Sequence, residues 1–268
     1  MSPVQIRNPD LVDLLSPDFQ KRYEAAFAWS RVVGMYMMLP GLRGFWPTSA
    51  VTSAGAMIDV SGHDRTMTLN GDPKYQVTGL RPFALLDGTG DFFSRTDEAG
   101  LDILGTETYI ASALRGITLG GWFASSSLAG ANQGLLTKWN ATGNQRAYML
   151  LINTSNVFRA LFSTDGTAAV GPSTTATVTA SKWYFVVGRF VPSTSMDIFV
   201  NSTKDSVVAA VPASLFNSNA DLQMGAFTAG TSLLTGSVSL MFLCAAALTD
   251  TIIKSLYNHS RALFGIKD

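Results

Sequence analysis

The chain has 268 residues, of which 47% are hydrophobic and only 14% charged, and its 19 basic side chains balance 19 acidic ones. That length can bury a sizeable core as one large β domain or two small ones. Zero net charge, with no block of like charge, leaves no basic field for nucleic acid or for an acidic membrane surface, and excludes both as partners.

The charged share is well below the usual ~25%, so Ser, Thr, Asn, Gly and Ala must cover much of the surface. Such a surface has few charges to strip of water against another protein, which favours life in an assembly. Cys244 is the sole cysteine, so no intrachain disulfide forms. Within SLMFLCAAAL it reads as a small core side chain. The opening MSPVQIRNPDLVDLL lacks the uninterrupted apolar stretch of a secretory signal. The apolar runs near Val32–Leu39 and Val238–Leu248 fall short of the ~18 residues that span a bilayer, and no membrane insertion is expected.

Residues 1–40 differ from the rest and are assigned as an arm and helix; residues 41–268 are assigned as one β domain. Ser2–Leu15 contains two prolines and reads as an extended arm. Ser16 as cap, Pro17 in the first turn and Asp18 at the positive dipole end start a helix. It is expected from Pro17 to Val33, ending near Gly34. Phe19, Tyr23, Ala26, Phe27, Trp29 and Val33 fall on one broad face, and Gln20, Lys21, Glu24 and Arg31 on the other. Two readings stay open: the helix covers its own β domain, or Phe19, Tyr23, Phe27, Trp29 and Val33 dock onto another subunit. Either way this aromatic face needs an apolar partner.

From Gly41 onward the pattern is strand, turn, strand. The segment Asp87-Gly88-Thr89-Gly90-Asp91 reads as a tight connection between apolar runs. Arg146–Ile152 and Val157–Ser163 flank Asn153–Asn156 as a hairpin. Both faces of Ala147–Ile152 are apolar or small, which suits an inner strand or one facing a subunit contact. Trp183–Phe190 and Ser195–Asn201 flank Val191–Thr194 as a second hairpin. Near the end, Thr249 or Asp250 caps a short helix that uses Ile252, Ile253 and Leu256. The spacing of the strands, roughly 8–12 residues, favours a sandwich.

The order of GLRGFWP (Gly41–Pro47), DVSGHDRTMTLNG (Asp59–Gly71), LLDGTGDFF (Leu85–Phe93), ITLGGWF (Ile117–Phe123), GLLTKW (Gly134–Trp139), WYFVVGRF (Trp183–Phe190) and MDIFVN (Met196–Asn201) resembles the laminin-G-like branch of the concanavalin-A-like lectin/glucanase superfamily. The resemblance covers roughly Gly41 to Tyr257. It implies an all-β fold, an antiparallel two-sheet jelly-roll sandwich, here with an N-terminal arm and amphipathic helix and a short C-terminal helix. It also implies a recognition surface. Two departures stand out. The hairpin entry is Phe199-Val200-Asn201-Ser202, and the penultimate strand is wholly apolar at Met241–Cys244, as though covered by the N-terminal helix.

Catalysis on this fold resembles Glu-X-Asp-X-X-Glu, which sets carboxylates on one strand face. Only Glu24, Glu98 and Glu107 are present, none in that pattern, and Asp97, Glu98 and Asp102 read as a loop cluster. Neither His63 nor His259 has zinc-ligand spacing. No catalytic residue and no cofactor is assigned. The resemblance makes calcium a candidate ligand, with Asp59, Asp64, Asp87, Asp91 and Asp165 in turns; the alternative is that each Asp binds its own turn backbone. For glycans, Trp139 could stack on a sugar while Asn140, Asn144 and Arg146 supply polar contacts; the alternative is a core Trp139 beside a turn.

These features point to a non-catalytic structural or recognition subunit of a larger assembly, such as a bacteriophage virion surface protein (capsid decoration, head fibre or tail). It is expected to be homo-oligomeric, made in a cytoplasm without a signal peptide, and displayed on a virion or other extracellular particle. A stand-alone module that binds polysaccharide is the second reading, and glycoside hydrolysis the third.

Overall fold

The computed structural model describes residues 17–79, 81–227 and 230–267, with side chains from Glu24 onward apart from Ala25. Two antiparallel sheets form a sandwich. One has the order β12-β11-β10-β6-β14-β4-β3, with β1 also on β14; the other has the order β2-β5-β13-β7-β8-β9. The strands of the first sheet are β1 (Leu42–Trp46), β3 (Lys74–Thr78), β4 (Arg81–Asp87), β6 (Ile117–Ser125), β10 (Tyr184–Val191), β11 (Ser195–Val200), β12 (Thr203–Val207) and β14 (Thr235–Cys244). Those of the second are β2 (Thr68–Asn70), β5 (Phe92–Arg95), β7 (Gln133–Asn140), β8 (Gln145–Ile152), β9 (Phe158–Phe162) and β13 (Leu222–Met224).

Both expected hairpins form. Asn153 accepts the amides of Ser155 and Val157 through Oδ1, at 3.0 and 3.1 Å, and so closes the β8–β9 turn. Ser193 takes φ +54° in the β10–β11 turn. The Asp87–Asp91 segment is tight, as expected, but it carries the chain from one sheet to the other rather than closing a hairpin, because β4 and β5 pair with different neighbours. Strand β14 changes partner along its length. It pairs with β4 up to Val238 and with β1 from Met241, with an irregularity between Ser239 and Phe242 where Leu240 takes φ +50°.

Trp46, Phe93, Phe123, Leu136, Leu150, Phe162 and Phe190 lie in the core between the sheets. A second apolar layer covers the outer face of the eight-stranded sheet. It is built from helix α1 (Pro17–Met37) and helix α2 (Asp250–Ser260), followed by a short 3-10 turn (Arg261–Phe264). Thr249 caps α2 by accepting the Ile252 amide at 3.3 Å. The Trp122 ring stacks on Phe264 with centroids 4.1 Å apart and planes 8° apart, and its Nε1 donates to Ser260 at 2.9 Å.

Helix α1 passes through Gly34 to Met37, further than expected. Tyr36 is the reason: it is fully buried, stacked on Phe45 at 4.8 Å and edge-on to Phe242 at 5.4 Å. That anchor sets the packed stripe at Trp29, Val32, Val33 and Tyr36, the i, i+3, i+4, i+7 spacing of one helical face. Ala26 and Phe27, expected on the apolar face, are exposed. Of the apolar stretch Met241–Cys244, Met241 and Leu243 face the core between the sheets, while the outward Phe242 is covered by α1 through Tyr36. No helix among the described residues is long and apolar enough to cross a membrane.

Replacing Trp122 by Ala removes the centre of the outer layer. The expected cost is about 3–5 kcal/mol, seen as a lower urea midpoint with unchanged slope. A midpoint equal to that of the wild type would show that the outer layer does not hold the sheet.

Candidate functional site

The four residues proposed for a sugar platform share the β7–β8 hairpin, yet they form no platform. Trp139 is only 6% exposed. It packs with Met149, Leu151 and Leu161 on the outer face of the six-stranded sheet, beneath Phe227 from the segment after β13. Arg146 is engaged too: its Nη1 donates to the carbonyls of Gly166 and Thr167 at 3.1 and 2.7 Å. Asn140 accepts the Thr142 amide at 2.8 Å, and Asn144 is a turn residue with φ +56°. An indole under cover cannot stack on a ligand, so this hairpin is architecture. Its alternating pattern is explained by burial on both faces of β8.

The docking set divides. Trp29 donates Nε1 to Ser49 at 3.0 Å, and both Trp29 and Val33 pack on the molecule's own outer layer. Phe27 is 62% exposed and Met38 85%. Phe19 and Tyr23 lie outside the described side chains.

The carboxylates named for calcium also divide. Asp87 and Asp91 come together, but with Asp72 rather than with Asp59 and Asp64; one oxygen from each of the three lies within 4.8 Å of the others. Asp59 organises the β1–β2 connection. It accepts the amides of Phe45, Ser61 and Arg65 and the Ser61 hydroxyl. Asp64 is an exposed turn residue with φ +57°. Asp91 is buried and accepts the amides of Asp72 at 2.8 Å and Asp87 at 3.1 Å. Gly71 permits that approach: at φ +72°, a Cβ there would sit 2.4 Å from Asp91 Oδ1. Lys74 Nζ lies 2.5 Å from Asp72 Oδ2 and is held protonated to higher pH by it. These three carboxylates could hold a hard cation by donor type. Calcium takes 6–8 oxygen ligands, but both Asp91 oxygens already accept backbone amides and Lys74 neutralises part of the charge.

The acidic loop Asp97–Asp102 is ion-paired. Lys138 is fully buried, with its ammonium against Asp97, 3.3 Å from Asp102 and 2.8 Å from the Ala220 carbonyl. Arg65 and Arg95 take Glu98 at 2.6 and 3.3 Å. Burial raises the Asp102 carboxyl, against the pull of Lys138. Burial, then Asp102 and Asp97, push the Tyr148 phenol well up. Each of these carboxylates is spent on a cation. Reading the sequence missed Lys138 because nothing local marks a strand lysine as buried.

The sandwich, its strand order and its capping helices can now be set beside known proteins. A family model described as the concanavalin A-like lectin/glucanases superfamily matches residues 104–254, more than half of the chain. The chain belongs to this superfamily. Among solved structures it resembles the binding domain of Paraclostridial Mosquitocidal Protein 1, with TM-score 0.64 and 10% identity over 81% of this chain and 52% of the other. It also resembles the receptor binding domain of botulinum neurotoxin C/D mosaic serotype, with TM-score 0.62 and 12% identity over 81% and 51%. A third is the binding domain of botulinum neurotoxin DC in complex with rat synaptotagmin II, with TM-score 0.60 and 12% identity over 83% and 52%. The chain spans about half the length of each. No curated protein matches the sequence.

Asp165 offers a test of how the loop after β9 is held. The Ala168 amide, and then Thr167, stabilise its charged form and push its carboxyl down to about 2. A depressed carboxyl contributes fully above the unfolded value of about 4. That contribution is lost as pH falls through about 2. The Thr167 and Ala168 amide shifts should titrate with a midpoint near 2; a midpoint near 4 would mean these bonds do not form in solution.

Proposed function

We propose that this chain is a non-catalytic structural and recognition subunit of a larger assembly, with a lectin-like domain as its body and a bacteriophage virion surface as its setting. The observation that carries the reading is helix α1. Its C-terminal half is cemented to the β domain through Tyr36, while Phe27 and Met37 on the same helix, and Met38 in the turn that follows, stand 62%, 52% and 85% exposed. A rigid helix that presents large apolar groups is suited to dock on a second subunit. The sparse charge lowers the cost of burying the surrounding surface.

Other observations support it. The acidic residues that could serve hydrolysis are tied to Lys138, Arg65 and Arg95. The neighbouring folds named above are binding domains, one of them solved in complex with rat synaptotagmin II. Membership of a lectin-containing superfamily favours a second reading, a stand-alone glycan-binding module.

Size-exclusion chromatography with light scattering separates the two. The wild type should be a homo-oligomer or bind its particle, and Phe27→Glu should weaken that association. The substitution should leave the unfolding free energy within about 0.5 kcal/mol of wild type, because Phe27 is exposed. A wild type that is strictly monomeric and joins no particle would sink the assembly reading.

A further inference from the structure

One lysine of the six-stranded sheet faces inward. Lys138 on β7 stands in register with Tyr148 on β8 and Leu222 on β13, both members of the core between the sheets. Residues opposite one another on antiparallel strands share a face, so the lysine stem runs into that core, and the side chain is fully buried. Its Nζ contacts Asp97 Oδ1, lies 3.3 Å from Asp102 Oδ1 and donates to the Ala220 carbonyl at 2.8 Å. The Lys74–Asp72 pair is the ordinary case, with both side chains open to water.

The loop that brings the two carboxylates is held from several sides. The Asp97 amide donates to Asp221 at 3.1 Å, just before β13. Glu98 is gripped by Arg65 and Arg95. The Leu101 carbonyl accepts the Tyr148 hydroxyl at 2.9 Å, which seats Asp102 beside it. Asp102 Oδ1 is buried and accepts no hydrogen bond among the described residues, although Nζ is close by. An amine nitrogen, a carboxyl carbon and a second carboxyl are thus fixed together around a nitrogen shielded from water.

We propose that Lys138 and Asp97 condense into an intramolecular amide, a covalent staple between the loop after β5 and strand β7. Nζ attacks Cγ of Asp97, the bond from Cγ to one carboxyl oxygen breaks, and that oxygen leaves as water. Of the three ammonium protons, two leave with the oxygen and one stays on the amide, where it keeps the Ala220 carbonyl. Asp102 relays a proton from Nζ to the departing oxygen. Burial raises its carboxyl, which suits a group that must hold a proton in turn. The Asp97 side chain keeps 26% exposure, a way out for the water. Two effects favour the reaction. Groups fixed in contact react as though at effective concentrations of up to about 10⁵–10⁸ M. Burial penalises an ammonium and a carboxylate, and the amide carries neither charge. With Cys244 as the sole cysteine the chain has no disulfide, and this staple needs no oxidising compartment.

Intact-mass spectrometry of the denatured full chain reads the bond. The wild type should be lighter than its sequence by one water, and a tryptic digest should contain a branched peptide that joins the Asp97 and Lys138 segments. The branch separates the amide from a cyclic imide at Asp87-Gly88 or Asp165-Gly166, which loses water without joining two segments. Lys138→Met and Asp97→Ala should restore the full mass. Asp102→Asn keeps the shape of the site and the Lys138–Asp97 contact, and should slow the condensation about 10²–10⁴-fold, the range of a lost proton relay. Fresh Asp102→Asn protein should therefore be at full mass. Lys74→Met should still lose water. A wild type at full mass with no branched peptide overturns the proposal and leaves an ion pair only. A branch between other residues, or an Asp102→Asn chain that condenses as fully as the wild type, overturns the assignment of these three side chains. Oligomeric state does not enter the measurement, so this inference and the assembly reading stand or fall separately.

Discussion

Strands β6 and β14 bury nearly every side chain they carry, on both faces. The partner sheet accounts for one face only. The other would leave Trp122, Phe242 and Cys244 in water unless a further layer covered it, and each large apolar side chain so exposed forfeits about 1.5–3 kcal/mol. The two ends of the described chain provide that layer. Tyr36 from α1 lands on Phe45 and Phe242, and Phe264 after α2 lands on Trp122. The molecule is therefore three layers deep on one side. The course of α1 follows from the same demand: the helix is held where the sheet lies beneath it, and its earlier turns carry Phe27 away from it.

The few charges are used sparingly. Lys138 is matched by Asp97 and Asp102 at one place. Arg189 is matched by Asp197 at 2.6 Å and Asp250 at 2.8 Å, which ties the first turn of α2 to β10 and β11. A buried ion left without its partner costs about 3–5 kcal/mol, so such pairs act as fixed joints.

The exposed surface differs from this ordered interior. Helix α1 carries Phe27 out to solvent at 62% exposure, while the carboxylates of the Asp97–Asp102 loop are committed to cations.

The sequence by itself determined the elements whose cause is local. The β8–β9 turn is written in Asn153, which bonds amides two and four residues ahead; α2 is written in Thr249; the strands are written in alternation between Gly, Asn and Pro punctuation. It also determined that the outer face near Met241–Cys244 needs cover. Tertiary structure alone decided exposure and company. Trp139 has the look of a platform and is covered by Phe227, far along the chain. Gly34 has the look of a stop, but the buried Tyr36 carries the helix past it. Asp87 and Asp91 read as turn formers, and only the fold places Asp72 beside them. Hydrogen bonds within a turn are set by neighbours in sequence, whereas water access is set by whichever distant segment packs on top.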